Sequence, residues 1–460
     1  MDEKRLESGE LFADLVNLAS AVIKSNDNGY NDARRLFNAM IDRRPAAIVQ
    51  ATCVDDVVHA VRAGHNAGVP IAIRGGGHNI AGNAMADAGL TIDLSRMRQV
   101  EVDVSARTAT AGGGVTWAEF DTATQAYGLA TTGGTISSTG IAGLTLGGGI
   151  GWLQRKYGLA CDNLIGAQVV LADGRVVEAN ETQNVDLFWA LRGGGGNFGV
   201  VTRFDYRLHP VGPVVYAGML LHPIDQAVRV HRFIREFMTT APRELGLVCG
   251  LITGPDGGQA FAIFACHCGS VVDGEKACRA LMDFGSPSIN MMGPRPYVEM
   301  QSLLDAAFPA GRRNYWKSTF LRAIDDEFMG MATKAYAVTP SPYSALVLEG
   351  MGGAVRDVGS EETAVGFRDA DYNFLIMAGW ESPTDDDANR DWARSVFEKT
   401  SSHAADMVYV NYLGTEADEG SDRVLAAYGA DKYRRLAMIK ARYDPQNLFR
   451  LNQNILPAAA

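Results

Sequence analysis

Apolar and polar positions follow one another along this chain in two different rhythms. From Pro45 the first half reads as strand, helix, strand. Ala47 to Gln50 is a short apolar strand, and Thr52-Cys-Val-Asp-Asp56 opens a helix running through Ala67. Thr52 is the expected N-cap, with Asp55 three residues on as the acidic half of a capping box. Val69 to Ile73 is the next strand. Strands follow at Leu90 to Leu94, Gln99 to Val104 and Thr108 to Ala111, then a helix at Val115 to Tyr127 that stops at Gly128. Leu164 to Ala172 and Arg175 to Ala179 flank Asp173-Gly174, the dipeptide of a tight hairpin turn. A helical turn at Asp186 to Leu191 precedes a strand at Val200 to Leu208. Upstream, residues 13–42 read as two short helices with Asn28 and Asp32 as possible caps.

Pro210 and Pro213 mark a joint. Beyond it, helices such as Ile224 to Thr240 alternate with strands such as Ala260 to Cys266 and Ala345 to Leu348, the pattern of a sheet with helices on one face. The tail is a helix, Lys432 to Tyr443, that cannot continue past Pro445.

A length of 460 residues exceeds one ordinary core and calls for about two or three domains. No apolar run is long enough for a membrane span, so no membrane partner is expected. A net charge of −11 without a basic stripe argues against nucleic acid. The charged opening, Met1-Asp-Glu-Lys-Arg-Leu-Glu, has no export signal, and six unevenly spaced cysteines do not form a disulfide framework. A reducing cytoplasm is the expected location; the oligomeric state is left open.

Glycine is the anomaly, with 51 residues gathered mostly in the first half. Ile71-Ala-Ile-Arg-Gly-Gly-Gly-His-Asn-Ile80 ends a strand in consecutive glycines, which an ordinary turn does not need and which cost chain entropy. Such a loop suits backbone amides converging on an anion, with Arg74 as a cationic fork and His78 as a nucleophile beside the bound group. The bland reading is a glycine-rich turn with a bystander histidine. Gly194-Gly-Gly-Asn-Phe-Gly199 satisfies a dinucleotide-binding pattern, but helix precedes it and strand follows, the reverse of what that motif requires. Cys266-His-Cys268 places both cysteines on one face of a strand and His267 on the other, and no further ligands stand at zinc spacing; no metal is expected.

Arg74-Gly-Gly-Gly-His78 resembles the flavin-anchoring loop of the vanillyl-alcohol oxidase / p-cresol methylhydroxylase superfamily, in its berberine-bridge-enzyme-like branch. Three further stretches extend the resemblance in the right order. Leu146-Gly-Gly-Gly-Ile-Gly151 with Arg155-Lys-Tyr-Gly-Leu-Ala-Cys-Asp-Asn163 looks like the central pyrophosphate loop, Asp186 to Thr202 like the adenine- and pyrophosphate-side signature, and Tyr409-Val-Asn-Tyr-Leu413 with Tyr433 to Asn454 like the closing segment. The likeness is strong over about 45–210, good over 405–455 and loose between.

The resemblance implies an α+β protein: an FAD-binding domain of two α/β subdomains (1–210, core 45–210), a substrate domain with a helix-covered sheet (211–404), and a segment returning to the first domain (405–460). It implies FAD bound covalently through His78, with cofactor contacts from Arg74, Gly75, Gly76, Gly77 and Asn79 in the first loop. It places Gly140, Gly143, Leu144, Gly147, Gly148, Gly149, Gly151, Asp162 and Asn163 in the central loop, then Gly199, Val201 and Asn411, which faces the flavin ring. The pyrophosphate is expected on the amides of Gly75–Gly77 and Gly147–Gly149. A second flavin link in some members uses a cysteine where this chain has Ile136, so one link is expected, with Cys161 a packing residue. A single link implies a more closed site and disfavours large oligosaccharides.

Thr139 occupies the position that gates oxygen in the family, and a small residue there goes with oxidases. The general base is left open among Glu349, Tyr409 and Tyr412. Burial would raise Glu349 into a useful range unless it merely pairs with an arginine; a tyrosine would need a nearby cation, or else is packing. The implied function is an oxidase removing hydride from an alcohol or amine carbon of a small, secondary-metabolite-like molecule and passing electrons to O2. The alternatives are a dehydrogenase with another acceptor, a mono-oxygenase-type oxidation, or a non-catalytic binding protein.

Overall fold

The structure is a computed structural model that describes residues 21–321, 324–414 and 421–459, together with a few isolated positions before 21. Its first sheet has four strands in the order Ala21–Lys24, Ala47–Gln50, Leu90–Asp93, Ile71–Arg74. The last three run parallel, with the helix Val54–Asn66 as crossover, and the first pairs antiparallel at the edge. Burial is complete in Leu90–Asp93, which lies between Ala47–Gln50 and Ile71–Arg74.

Two readings of this region change. The 13–42 stretch was expected to hold two helices. Part of it lies outside the described residues; of the rest, Ala21–Lys24 is a strand whose apolar Val22 and Ile23 pair with Val49 and Ile48, and Tyr30–Ala33 is a single helical turn. The helix cap lies one residue later than expected, at Cys53. Asp56, not Asp55, closes the box, its Oδ2 accepting from Thr52 N at 2.9 Å, Thr52 Oγ1 at 2.8 Å and Cys53 N at 3.3 Å.

The second sheet is antiparallel, in the order Val100–Asp103, Thr108–Gly112, Val200–Arg207, Leu164–Val170, Val176–Asn180. The Asp173-Gly174 hairpin forms where expected, Gly174 N donating to Leu171 O at 2.9 Å and Gly174 adopting φ +78°. Its core is shared with the C-terminal helices Ser421–Tyr428 and Ala430–Tyr443, through Val424, Tyr428 and Leu436.

The third and largest sheet has eight antiparallel strands. Seven follow the order Ile289–Asn290, Val214–Pro223, Gln259–His267, Leu245–Thr253, Ala345–Gly350, Tyr372–Trp380, Arg313–Leu321, and Gly293–Pro296 pairs alongside Val214–Pro223. The period of two decides what each face does. Leu247, Cys249, Leu251, Leu346, Leu348, Phe374 and Ile376 pack against the helices Ala227–Met238, Asp326–Tyr336 and Asp386–Thr400. Their neighbours Val248, Ile252, Val347, Glu349, Leu375 and Met377 face the opposite way, into a cavity. Cys266 and Cys268 share a buried cluster with Trp152 and Tyr297, while His267 lies against Gly274 on the other side. Among the described residues no group of histidine, cysteine and acidic side chains could hold a metal, and no helix is long and apolar enough to cross a membrane.

Candidate active site

One cavity of about 690 Å³ runs between the three sheets. Its first wall is the loop leaving the Ile71–Arg74 strand. The amides of Gly75, Gly76, Gly77 and His78 make no hydrogen bond among the described residues, so none is spent on the protein itself. Gly76 lies back to back with Gly140, where an added Cβ would meet Gly140 N at 2.3 Å. Gly143 and Gly196, by contrast, present open space at the cavity wall, nothing lying within 4 Å of an added Cβ.

Arg74 is not where it was expected. Its Nη1 donates to Ala33 O at 2.5 Å, lies 3.8 Å from Asp93 Oδ2, and the guanidinium sits beneath Gly77. It braces the loop from behind and does not line the cavity, because the strand pairing points its side chain toward the buried Asp93.

The central glycines also differ from expectation. Gly147 N, Gly148 N and Gly149 N donate to Gly143 O, Thr145 O and the Tyr409 hydroxyl, so none is left for a pyrophosphate. Gly147, Gly149 and Gly151 are glycines for lack of room: a Cβ on Gly147 would lie 2.1 Å from Asn411 Oδ1, on Gly149 2.4 Å from Ala160 Cβ, and on Gly151 1.6 Å from Gly133 O. Asp162 and Asn163 are likewise structural. Asp162 accepts from Arg368 Nη2 at 2.6 Å and Leu159 N at 2.8 Å, and Asn163 Nδ2 donates to Tyr157 O and Leu159 O. The other nominated positions, Asn79, Thr139, Gly140, Gly143, Leu144, Gly199, Val201, Asn411 and the four discussed below, do line the cavity.

His78 stacks on Phe37 with ring centres 4.4 Å apart. Ser138 Oγ is 3.0 Å from Nε2 and Thr139 Oγ1 is 3.4 Å from Nδ1. Burial pushes the imidazole down from 6.5 to about 4, with the Asp305 carboxylate pulling the other way, so the ring is neutral and nucleophilic at pH 7. Ile136 lines the cavity where the second-link cysteine was sought. Cys161 is fully buried among Phe320, Phe367 and Tyr409, away from the cavity wall, and burial pushes its thiol well up.

On the opposite wall, Glu349 is buried and accepts from Asn373 Nδ2 at 2.6 Å and from the Tyr412 hydroxyl at 3.0 Å. Burial raises it from 4.5 to about 7, against the pull of those two hydrogen bonds. No arginine pairs with it among the described residues. Tyr412 is pushed well up by burial and then by the Glu349 charge, and no cation among the described residues offsets this, so it holds its proton. The Tyr409 hydroxyl accepts from Gly149 N at 2.9 Å and from Asn411 Nδ2 at 2.8 Å; burial raises it too. Asn411 Nδ2 also reaches Leu144 O at 3.1 Å, tying the closing segment to the central loop.

The sequence reading missed a third wall. Asn197 Nδ2 donates to Gln453 O at 3.2 Å, Asn452 Nδ2 donates to Gly196 O at 3.2 Å, and Lys440 Nζ donates to Asn197 O at 2.6 Å while paired to Asp444 at 2.7 Å. Lys440 is one of two last-turn cations of its helix, with Arg442, a position that signals only favourable dipole geometry, not a clamp on a distant glycine cluster.

The family described as FAD binding domain matches residues 45–180, and the family described as berberine and berberine-like matches 408–456. An FAD-linked oxidoreductase of Dictyostelium discoideum is 29% identical over 436 residues, 94% of each chain. The chain is an FAD-linked oxidoreductase. The solved structure of 6-hydroxy-D-nicotine oxidase from Arthrobacter nicotinovorans superposes on this oxidoreductase with a TM-score of 0.87 at 25% identity, covering 96% of this chain and 99% of that one. A chitooligosaccharide oxidase does so with 0.86 at 25% identity, covering 98% and 100%. The four unspent amides and the open positions at Gly143 and Gly196 fit FAD. The Gly75–His78 loop would hold its pyrophosphate and His78 would lie beside its ring.

Proposed function

We propose that this oxidoreductase is an oxidase that takes a hydride from an alcohol or amine carbon of a small, largely apolar substrate, with FAD held covalently through His78. FAD, when bound, supplies the two-electron acceptor, and O2 accepts the electrons in turn as H2O2. The observation that carries the reading is the Tyr412–Glu349 couple on the wall facing the His78 loop. A substrate O–H or N–H donates to the Tyr412 oxygen while the Tyr412 proton passes to Glu349, so one proton leaves the substrate and ends on a carboxylate. A base near 7 matches this work at neutral pH. Tyr409, held by two N–H donors, fixes Asn411 and the central loop behind the couple.

The substrate wall supports an apolar ligand. Val248, Ile252, Phe264, Trp316, Leu375 and Met377 line it, and Arg312 and Glu349 are the only charged lysine, arginine or acidic side chains among the described lining residues. One solved relative is named for a hydroxylated nicotine and the other for an oligosaccharide. A sugar chain needs polar partners in many directions, so this wall sides with the first. The small Thr139 beside His78 fits an oxygen-reactive site. We assign 1–210 to the FAD domain, 211–404 to the substrate domain and 405–460 to the returning segment, since the C-terminal helices share the core of the second sheet.

The test is a panel of aromatic alcohols, cyclic amines and oligosaccharides scored for H2O2, with anaerobic flavin bleaching read in parallel. Bleaching and H2O2 with an apolar member are expected. Bleaching that air does not reverse would assign a dehydrogenase; no bleaching by any class would overturn the oxidase reading.

A further inference from the structure

The Ser137–Thr139 loop that touches His78 is not held by its own domain alone. Ser137 N and Ser137 Oγ both donate to the Asp305 carboxylate, at 2.9 and 2.5 Å. Gln301 Nε2 donates to Gly134 O at the start of the same loop. Gln301 ends the helix Tyr297–Gln301 and Asp305 opens the turn after it, so both come from the region that carries the third sheet. The next two residues after Ser137 are Ser138 and Thr139, whose hydroxyls flank the two ring nitrogens of His78. The Asp305 carboxylate has no ion-pair partner among the described residues, and its charge reaches His78.

We propose that Asp305 is a positioning residue for attachment of FAD to His78, making covalent loading wait on docking of the substrate domain against the Gly134–Gly140 loop. The proposal rests on the covalent reading of His78. Attachment forms one N–C bond between an imidazole nitrogen and the 8α-methyl carbon. One hydrogen leaves the ring N–H and one leaves the methyl, and the two electrons and two protons depart on O2 as H2O2. Such a step needs the lone pair aimed at the carbon within about 3–3.5 Å. It also places positive charge on the imidazole as the bond forms. The tether meets both needs: it fixes the two hydroxyls that orient the ring, and it sets a carboxylate where that charge develops.

The experiment compares the wild type with Asp305→Ala, Asp305→Asn and Ser137→Ala, each incubated with excess FAD. Covalent flavin is read as fluorescence of the acid-precipitated protein over time, total bound flavin by ultrafiltration, and folding by thermal midpoint. Asp305→Ala is expected to bind FAD and melt as the wild type does while attaching it about tenfold more slowly or worse. Asp305→Asn, which keeps the shape but not the charge, is expected to fall between. Attachment at the wild-type rate in Asp305→Ala overturns the assignment. If that variant fails to fold, Asp305→Asn decides: slowed attachment with intact binding supports the role, and a wild-type rate overturns it. Wild-type FAD that is wholly acid-extractable instead removes the covalent reading itself, before any variant is compared.

Discussion

The Gly75–Gly77 loop keeps its amides free at the cavity wall, whereas Gly147–Gly149 has spent its amides on Gly143, Thr145 and Tyr409. Both are runs of three glycines next to a short apolar segment. Both runs lack side chains for want of room, Gly76 against Gly140 in the first and Gly147 and Gly149 against Asn411 and Ala160 in the second. What separates them is the backbone amides, unspent in the first and spent in the second. The lesson extends to the charges beside each loop: Arg74 braces the first from behind, and Asp162 with Arg368 braces the second, neither reaching the cavity.

The contrast can be broken most forcefully at Gly151. Its alanine variant would set a Cβ 1.6 Å from Gly133 O, and we expect loss of more than about 4 kcal/mol, read as insolubility or a sharply lowered melting temperature. A soluble protein with an unchanged midpoint would show that the second loop has slack. His78→Ala tests the first loop at its functional end. The acid precipitate should lose all covalent flavin while the melting temperature holds, since the ring contributes one stacking contact and two hydroxyl contacts.

Glu349→Gln alters the cavity outside both loops and should leave flavin attachment intact. Flavin reduction is expected to slow by about 10²–10⁴-fold. In the wild type the rate should rise with pH through about 7 as the base ionises, and the variant should lose that limb. The stability term has the opposite sign. A carboxyl raised from 4.5 to about 7 in the fold stabilises the protonated form, so its contribution is full below pH 4.5 and is lost as pH rises through about 7. Urea midpoints across that window should fall in the wild type more steeply than in the variant.

The smallest effect belongs to Gly143→Ala, and it sharpens the comparison most. Nothing lies within 4 Å of its added Cβ, and Gly143 sits in the helix Ile141–Leu146, so the fold should keep or gain a few tenths of a kcal/mol, up to about 1. FAD affinity, measured by fluorescence quenching in a His78→Ala background, should weaken because the methyl enters the cavity. Unchanged affinity would place the cofactor elsewhere.

The sequence by itself determined the local pieces: the strand that runs into Gly75–Gly77, the Asp173-Gly174 hairpin, the helix ending before Pro445, and the alternation that turns Glu349 away from Leu348. Each follows from interactions between residues close in the chain, where periodicity and backbone freedom suffice. The tertiary structure alone decided the pairings. Asp305 meets Ser137 across 168 positions and Tyr412 meets Glu349 across 63. Lys440 closes on Asn197 across 243. Periodicity fixes which face a side chain occupies but not what will lie opposite it, because that depends on how whole sheets and helices stack. So the sequence could nominate Glu349 as a buried carboxyl, and only the packed sheets could show that a tyrosine, not an arginine, waited for it there.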